Sequence, residues 1–303
     1  MRSLLHKFAF GIWAFRPEAV PGILPLVEDV VNGKREAFFE RKTERDLMQE
    51  ANLRFVTRDG HTVYAADGNV EPTQGMVMVM DVKGAIMKED FCESPGTQTL
   101  GRWLQSAETT PEVIGVVLNI DSPGGDGYGM ADMAGQIERM KKPVVSLVNA
   151  GMACSAAYGI GCSSDLVLSG NPVDEFGSIG TYVRIRDFSE AEKGRGIKTH
   201  TITATRSTEK LSDYQEALKA DPSNPDDKHY EALRKNYIDP FNEHFVQLVQ
   251  RNRPGVKDER GVFAGRVFFA SEALELGLID RTGASLTDAI DAVRQLATTA
   301  NHN

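Results

Sequence analysis

Two apolar runs, each followed by small residues, constrain the fold of this chain most strongly. The first is VIGVVLN at 113–119, followed by DSPGG at 121–125, and the second is PVVSLV at 143–148, followed by NAGMACSAA at 149–157. Mostly apolar, β-branched runs of this length are typical of buried parallel strands. Apolar residues at helical spacing over 130–140 predict a crossover helix between the two strands, and therefore one right-handed β-α-β unit.

The small residues that follow these two strands suit an acyl-transfer site. A glycine pair, Gly124 and Gly125, allows backbone N–H groups to approach a ligand with no side chain in the way. Ser155 lies on the second turn, at the start of a predicted helix over 155–162, which is a place to put a nucleophile. We therefore hypothesise that the two turns supply an oxyanion hole and a nucleophile, the chemistry of a serine peptidase.

The bulk composition is that of an ordinary globular protein and argues against a nucleic-acid partner. The chain has 303 residues, of which 41% are hydrophobic and 25% are charged, with a net charge of -9. A nucleic-acid binder usually carries a basic patch instead. The three cysteines include no C-x-x-C spacing, so we expect a reduced intracellular compartment and neither a metal nor another cofactor. The N-terminus lacks a signal-peptide pattern, and no stretch approaches the roughly 20 apolar residues that span a bilayer.

Strand and helix signals alternate along the chain, which predicts an α/β sheet with layered helices. Further strands are predicted over 76–87 (broken at Gly84), 166–168 and 197–204, and further helices over 100–107, 186–196, 226–252, 271–276 and 288–296. Pro240 is expected to kink or divide the longest predicted helix, over 226–252. Gly277 is expected to end the helix over 271–276. We divide the chain into a helical lead-in or oligomerisation arm at 1–70, a catalytic domain at 71–297 and a tail at 298–303.

With these residues in view, the chain resembles the signal peptide peptidase A family of serine peptidases, and most of all its phage capsid-maturation branch, typified by the lambda capsid assembly protease. The resemblance depends on four stretches in the family's order and spacing: LNIDSPGG at 118–125, NAGMACSAAY at 149–158, FGSIGTY at 176–182 and FASEALELGLID at 269–280. The segment WAFRPE at 13–18 is also similar to the lead-in of many phage members. The core resemblance covers about residues 76–292.

The resemblance implies a ClpP/crotonase-like fold, a spiral of β-β-α units with a parallel sheet and flanking helices, assembled into a homo-oligomer. It also implies a Ser/Lys dyad, with Ser155 as the nucleophile and Lys210, in the loop after the last predicted strand, as the general base. The family pattern differs around this loop, and Lys198 is the alternative base. The oxyanion donors would be the N–H groups of Gly124, Gly125 and Ala156, and Ser178 would support the lysine or be a plain turn residue.

This chemistry needs a lysine in an unusual environment. A serine hydroxyl is a poor nucleophile until a base removes its proton. A lysine can do so when desolvation depresses its pKa enough for the amine to be neutral near pH 7. We therefore expect Lys210 to be buried in the assembled state.

Structural alternatives apply to each of these residues. Ser155 could be a helix N-cap, and Lys210 could be a solvated loop lysine. Cys154, beside the serine, is a candidate nucleophile, although a small buried apolar residue is the simpler interpretation. A conventional triad through His200 and Asp121 is a further alternative.

The function expected from the resemblance is a serine endopeptidase that processes phage capsid or scaffold proteins in the bacterial cytoplasm or in the assembling phage head. One alternative is a cellular peptidase of the same family that degrades signal peptides. A second is a crotonase-type acyl-CoA enzyme, whose oxyanion hole would use similar glycines but would leave Ser155 and Lys210 unexplained. A third is a structural capsid protein without catalytic activity.

Overall fold

The computed structural model describes residues 13–15, 43–68, 70–90 and 94–300. The described strands are β1 (Trp13–Phe15), β2 (Arg54–Val56), β3 (Thr62–Tyr64), β4 (Met76–Ile86), β5 (Val113–Asp126), β6 (Val144–Val148), β7 (Met152–Cys154), β8 (Leu166–Ser169), β9 (Glu175–Gly177) and β10 (Val267–Phe269). The described α-helices longer than one turn are α1 (Glu44–Glu50), α2 (Thr97–Thr109), α3 (Gly127–Ile137), α4 (Ala156–Gly161), α5 (Ser189–Gly194), α6 (Ser212–Ala217), α7 (Asp239–Asn252), α8 (Ala270–Glu275) and α9 (Leu286–Ala300).

The long strand β5 belongs to two parts of the sheet. Its first half pairs in parallel with β6, and β6 pairs in parallel with β8. Its second half pairs in parallel with β7 through Ser122 and Ala153, and from there the sheet continues through β9 to β10. On its other edge β5 runs parallel to β4, which pairs antiparallel with β2. The fold is therefore α/β, with parallel strands at its centre, successive β-β-α units and flanking helices, as the sequence predicted.

Helices cover both faces of the central strands, which makes those strands apolar on both sides. On one face α9 packs through Ala289, Ile290 and Val293 onto alternate residues of four strands: Val77, Val79, Val117, Val145, Leu147 and Leu168. On the other face α2 packs on α3, α3 on α4, and α4 on β5. The core helices and strands lie where hydrophobic periodicity predicted them, with ends shifted by a few residues.

Two predictions about β4 and β5 are modified by their pairing. The break predicted at Gly84 is a bulge with a φ of 68°, where the register with β5 shifts, and β4 continues to Ile86. The turn predicted at 121–125 is wrong, because β5 continues through these residues to Asp126. The physical reason is that β4 remains beside β5 beyond the bulge and pairs with Gly124 and Gly125.

The described chain divides into two compact units. The first holds the described residues of Trp13–Gly180 and Phe245–Asn303, and the second holds Thr181–His244. Residues 43–68 of the predicted lead-in belong to the first unit, because β2 and β3 extend its sheet beside β4. The described chain therefore does not divide near residue 70. Residues 1–12 and 16–42, on which most of that prediction falls, lie outside the described residues.

The regular elements of the second unit are short helices, and this unit differs most from the prediction. The strand predicted over 197–204 is absent, and Ile202 in its middle is 92% exposed. An alternating sequence forms a strand only when a neighbouring strand satisfies its backbone, and no described strand pairs with this segment. The helix predicted over 226–252 is divided as expected, since a π-helical turn, Arg234–Ile238, precedes α7 and its Pro240.

Candidate active site

Three neighbouring strands of the first unit each place a residue with positive φ at the same level. Ser122 of β5 pairs with Ala153 of β7, and Ala153 pairs with Phe176 of β9. Two residues beyond each of these lie Gly124, Ser155 and Ser178, with φ values of 106°, 55° and 52°. Positive φ is uncommon for a residue other than glycine, and such strained positions concentrate at functional sites. We call these three residues the positive-φ row.

Ser155 occupies a sharp turn between β7 and α4, which we call the elbow. Its φ and ψ are 55° and -120°, its N–H donates to the carbonyl oxygen of Gly177 at 2.7 Å, and its own carbonyl oxygen accepts from Gly159 N at 2.9 Å. A strand-to-helix turn of this kind points a nucleophile out of the regular backbone. Although Ser155 is the residue before the helix, its side chain makes no capping hydrogen bond. The N-cap interpretation therefore does not explain the serine.

Small residues within α4 allow this helix to pack closely against its neighbours. A Cβ at Gly159 would lie 2.4 Å from Sδ of Met130, and a Cβ at Gly161 would lie 3.1 Å from Cδ1 of Ile120. A side chain at Gly159 would therefore force Met130 to shift, whereas one at Gly161 would require Ile120 to give by only a few tenths of an ångström. Ala156 and Ala157 are also fully buried at the start of the helix.

The Ser155 hydroxyl is buried and has no hydrogen-bond partner among the described residues. The residue has 0% relative exposure, and its Oγ is an unsatisfied buried oxygen. Buried polar atoms in proteins are nearly always paired, so an orphan hydroxyl on a strained turn calls for an explanation. A role as a nucleophile is one.

The glycine pair lies inside β5 and not on a free turn. The Gly124 N–H donates to Oγ of Ser122 at 3.1 Å, and that hydroxyl in turn donates to the carbonyl oxygen of Gly84 at 2.6 Å. At Gly125 a Cβ would lie 1.8 Å from the carbonyl oxygen of Ile86, so only glycine fits. Ala156 begins α4, where the first N–H groups of a helix have no partner within that helix. The three predicted oxyanion donors are thus on adjoining elements. The Gly124 N–H already donates a hydrogen bond to Ser122.

Sequence reasoning missed Ser122, which joins β4 to β5 at this position. Its hydroxyl is buried and bridges the bulge at Gly84 to the first glycine of the pair. Its partner carbonyl is 38 residues earlier in the chain, and no local pattern identifies such a pair. The sequence signal was limited to the small polar residue before Pro123.

Ser178 is the third member of the positive-φ row. It is 5% exposed, and its N–H donates to the carbonyl oxygen of Arg266 at 2.8 Å. It therefore lies next to the elbow in the sheet, and its predicted support of a lysine stays a prediction.

Both candidate bases are in the second unit. Lys210 is exposed and lies in a turn before α6, where its N–H donates to the carbonyl oxygen of Ser207 at 3.1 Å. Lys198 is exposed as well, in the segment that was predicted to be a strand. The burial predicted for Lys210 concerns an assembled state, while the single chain exposes it. The dyad of Ser155 with either lysine stays a prediction.

The alternative nucleophile and triad gain no support from the contacts. Cys154 is fully buried and pairs with Gly177 in the ladder between β7 and β9. Asp121 accepts a hydrogen bond from the N–H of Met152 at 3.3 Å and thereby holds the start of β7. His200 is exposed in the second unit.

The described residues include no helix that is both long and apolar enough to cross a membrane.

Comparisons with known proteins identify the family. The family model described as Peptidase family S49 matches residues 136–300, which include the elbow, the Ser178 turn and both candidate lysines. Protease 4 of Haemophilus influenzae is 26% identical over 225 residues, which are 73% of this chain and 34% of that protein. A putative signal peptide peptidase SppA of Enterococcus faecium is 25% identical over 63% of this chain and 54% of that protein.

A phage protein is also similar. The head-tail preconnector protein GP5 of Enterobacteria phage P21 is 31% identical over 237 residues, which are 75% of this chain and 44% of that protein. The chain thus spans about a third to about three fifths of the length of the curated relatives it matches. The resemblance to the signal peptide peptidase A family and its phage branch is confirmed, and the chain belongs to peptidase family S49.

Proposed function

We propose that the chain is a serine endopeptidase in which Ser155 is the nucleophile and Lys210 the general base. The observation that carries this proposal is the Ser155 hydroxyl, which is buried and unpartnered on a strained strand-to-helix turn. Membership of a peptidase family supports the same reaction class.

In this mechanism the neutral Lys210 amine takes the proton of the Ser155 hydroxyl while Oγ attacks the carbonyl carbon of the scissile peptide bond. The oxygen of that carbonyl becomes an oxyanion in the tetrahedral intermediate. Backbone N–H groups near Ser155, with Gly125 and Ala156 as candidates, would stabilise it, and loss of one such donor costs about 10²–10³ in rate in other enzymes. The lysine then gives its proton to the leaving amine, and water hydrolyses the acyl-enzyme.

The exposed position of Lys210 has a consequence for this proposal. A lysine acts as a base only where a desolvated environment favours its neutral form. We expect a homo-oligomer to supply that environment by covering the surface of the second unit. The active species would then be an assembly and not the single chain.

For the physiological role we propose cleavage of phage capsid or scaffold proteins during head assembly, in the cytoplasm of a bacterial host or within the assembling head. The similarity to the phage P21 head-tail preconnector protein supports this role. The similarity to the putative signal peptide peptidase favours the second candidate, a cellular peptidase that degrades signal peptides. A comparison of kcat/KM for a phage scaffold protein and for a synthetic signal peptide separates the two roles.

The reaction class is tested with a fluorophosphonate probe on the purified full chain, followed by peptide mapping. Labelling at Ser155, lost in Ser155→Ala, is the expected result. A folded, oligomeric sample that is not labelled would overturn the peptidase proposal and favour the acyl-CoA enzyme or the structural capsid protein. A matched serine, Ser146, is buried and hydrogen-bonded to Ser164 at 2.8 Å, so Ser146→Ala should leave the labelling at Ser155 intact.

A further inference from the structure

The short N-terminal strand β1 lies directly against the candidate oxyanion glycines. It pairs antiparallel with the end of β5, with Trp13 opposite Asp126, Ala14 opposite Gly125 and Phe15 opposite Gly124. The other edge of β5 at this level is taken by β4, so β1 lies on the open side.

The same edge of β5 carries β6, β7 and β1 in succession. These strands pair with residues 116–119, with Ser122 and with residues 124–126 of β5 respectively. If β7 continued as a strand, Ser155 would lie opposite Gly124. Instead the chain turns away at Ser155 with positive φ, and Phe15 takes the place opposite Gly124. Because β1 is antiparallel to β5, it runs toward the level of Ser155.

An extended peptide that brings its scissile bond to Ser155 would need the same edge. Peptides commonly bind proteins by adding a strand to an exposed sheet edge, where backbone hydrogen bonds supply much of the affinity. The edge at residues 124–126 is the stretch of β5 nearest to Ser155 on that side, and β1 fills it. Substrate and β1 cannot both pair there.

We propose that the edge of β5 at residues 124–126 binds extended peptides, and that residues 13–15 of the same chain fill it until a substrate displaces them. This inference rests on the proposed peptidase function for its biological meaning. The interaction it assigns, between one edge and one internal segment, is a binding event that can be measured without catalysis.

An internal competitor lowers apparent affinity and leaves the chemistry unchanged. If only about a tenth of the molecules have the edge open, the apparent dissociation constant for a peptide is raised about tenfold. Release of β1 should therefore lower KM for extended substrates without a change in kcat.

The test uses the full chain with Ser155→Ala, so that nothing is cleaved. A fluorescent peptide, FGIWAFRPEA from residues 10–19, is titrated by anisotropy against this chain and against the same chain carrying Ala14→Pro or Phe15→Pro. In an antiparallel ladder successive N–H groups point to opposite sides, so one of the two prolines must remove a donor that faces β5. Ala14→Gly keeps its N–H and is the matched control, and a scrambled peptide is the second control.

At least one proline variant should bind the peptide with an affinity at least about fivefold higher than that of the parent Ser155→Ala chain. The affinity of the Ala14→Gly variant should be within about twofold of the parent's. Equal affinity in both folded proline variants would overturn the proposal. If both variants fail to fold, the peptide is added to the active chain: competitive inhibition supports the proposal, and its absence overturns it. A failure of the peptidase proposal is recognised separately, because it appears as absent labelling of Ser155 and not as altered peptide binding.

Discussion

Gly124 and Ser155 lie level with each other on adjacent strands, each two residues beyond the pair formed by Ser122 and Ala153, and both have positive φ. The first is in a strand that continues past the site, and the second is where its strand ends and a helix begins. This relationship brings the first glycine of the pair and a candidate nucleophile to one level of the sheet.

Replacement of Ser155 by alanine should abolish proteolysis and leave the fold intact. Its hydroxyl has no partner among the described residues, so its removal breaks no described hydrogen bond. We expect a loss of activity on the order of 10⁴ or more, as for other nucleophile variants. Cleavage of a peptide substrate and a thermal unfolding scan measure the two effects. Cleavage at the parent rate would remove Ser155 from the mechanism.

Replacement of Lys210 by alanine should lower kcat by about 10²-fold or more, the usual contribution of a general base. Lys198→Ala is the matched control, since both lysines are exposed in the second unit, and it should retain activity. The two variants are compared by steady-state kinetics at equal oligomeric state. If only Lys198→Ala is inactive, the general base is misassigned.

Replacement of Ser122 by alanine should destabilise the fold by about 1–3 kcal/mol, because the buried Gly124 N–H then loses its acceptor. The Gly84 carbonyl oxygen loses its donor at the same time. Urea unfolding measures the change. Ser271→Ala, at an exposed position of α8, should stay within about 0.5 kcal/mol of the parent. Equal stability of the two variants would mean that the Ser122 bridge does not hold β4 to β5.

Replacement of Gly125 by alanine should cost about 3 kcal/mol or more, or prevent folding. The added Cβ would lie 1.8 Å from the backbone carbonyl oxygen of Ile86, which cannot move without its strand. Gly135→Ala is the control, because its Cβ would meet only the flexible end of Arg139, at 3.3 Å, in the interior of a helix. That change should stabilise the fold by about 0.5–1 kcal/mol. Chemical denaturation of both variants measures these changes in the free energy of unfolding.

Cys162 should react slowly with iodoacetamide in the folded chain at pH 8. Burial raises the pKa of its thiol from 9.0 to about 12, which lowers the reactive thiolate fraction about a thousandfold. Between about pH 9 and 12 the folded state keeps this proton while the unfolded state loses it. The contribution of the thiol to the free energy of unfolding is therefore complete below about pH 9 and is lost as the pH rises toward 12. Mass spectrometry of the alkylated peptide, with urea-unfolded chain as the reference, measures the rate. Rapid alkylation of Cys162 in a chain with unchanged circular dichroism would contradict the predicted slow reaction.

Local patterns predicted the core elements well because each of those elements carries its own signal. The apolar runs at 113–119 and 143–148 and the helical spacing over 130–140 became β5, β6 and α3. Gly277, with a φ of 76°, follows the end of α8 as a stop. The strand predicted over 197–204 was wrong for the opposite reason, because its alternating residues needed a partner strand that no local pattern could supply.

By itself the sequence determined the α/β class, the position of the elbow serine and, through four spaced stretches, the resemblance to a peptidase family. The tertiary structure alone decided that β5 runs on through the glycines, that Ser122 bridges to Gly84, and that β1 covers the edge beside Ser155. The physical reason is that hydrophobic periodicity is a property of neighbouring residues. Strand register and edge occupancy are set by pairing between distant segments, whose backbone groups must all be satisfied together.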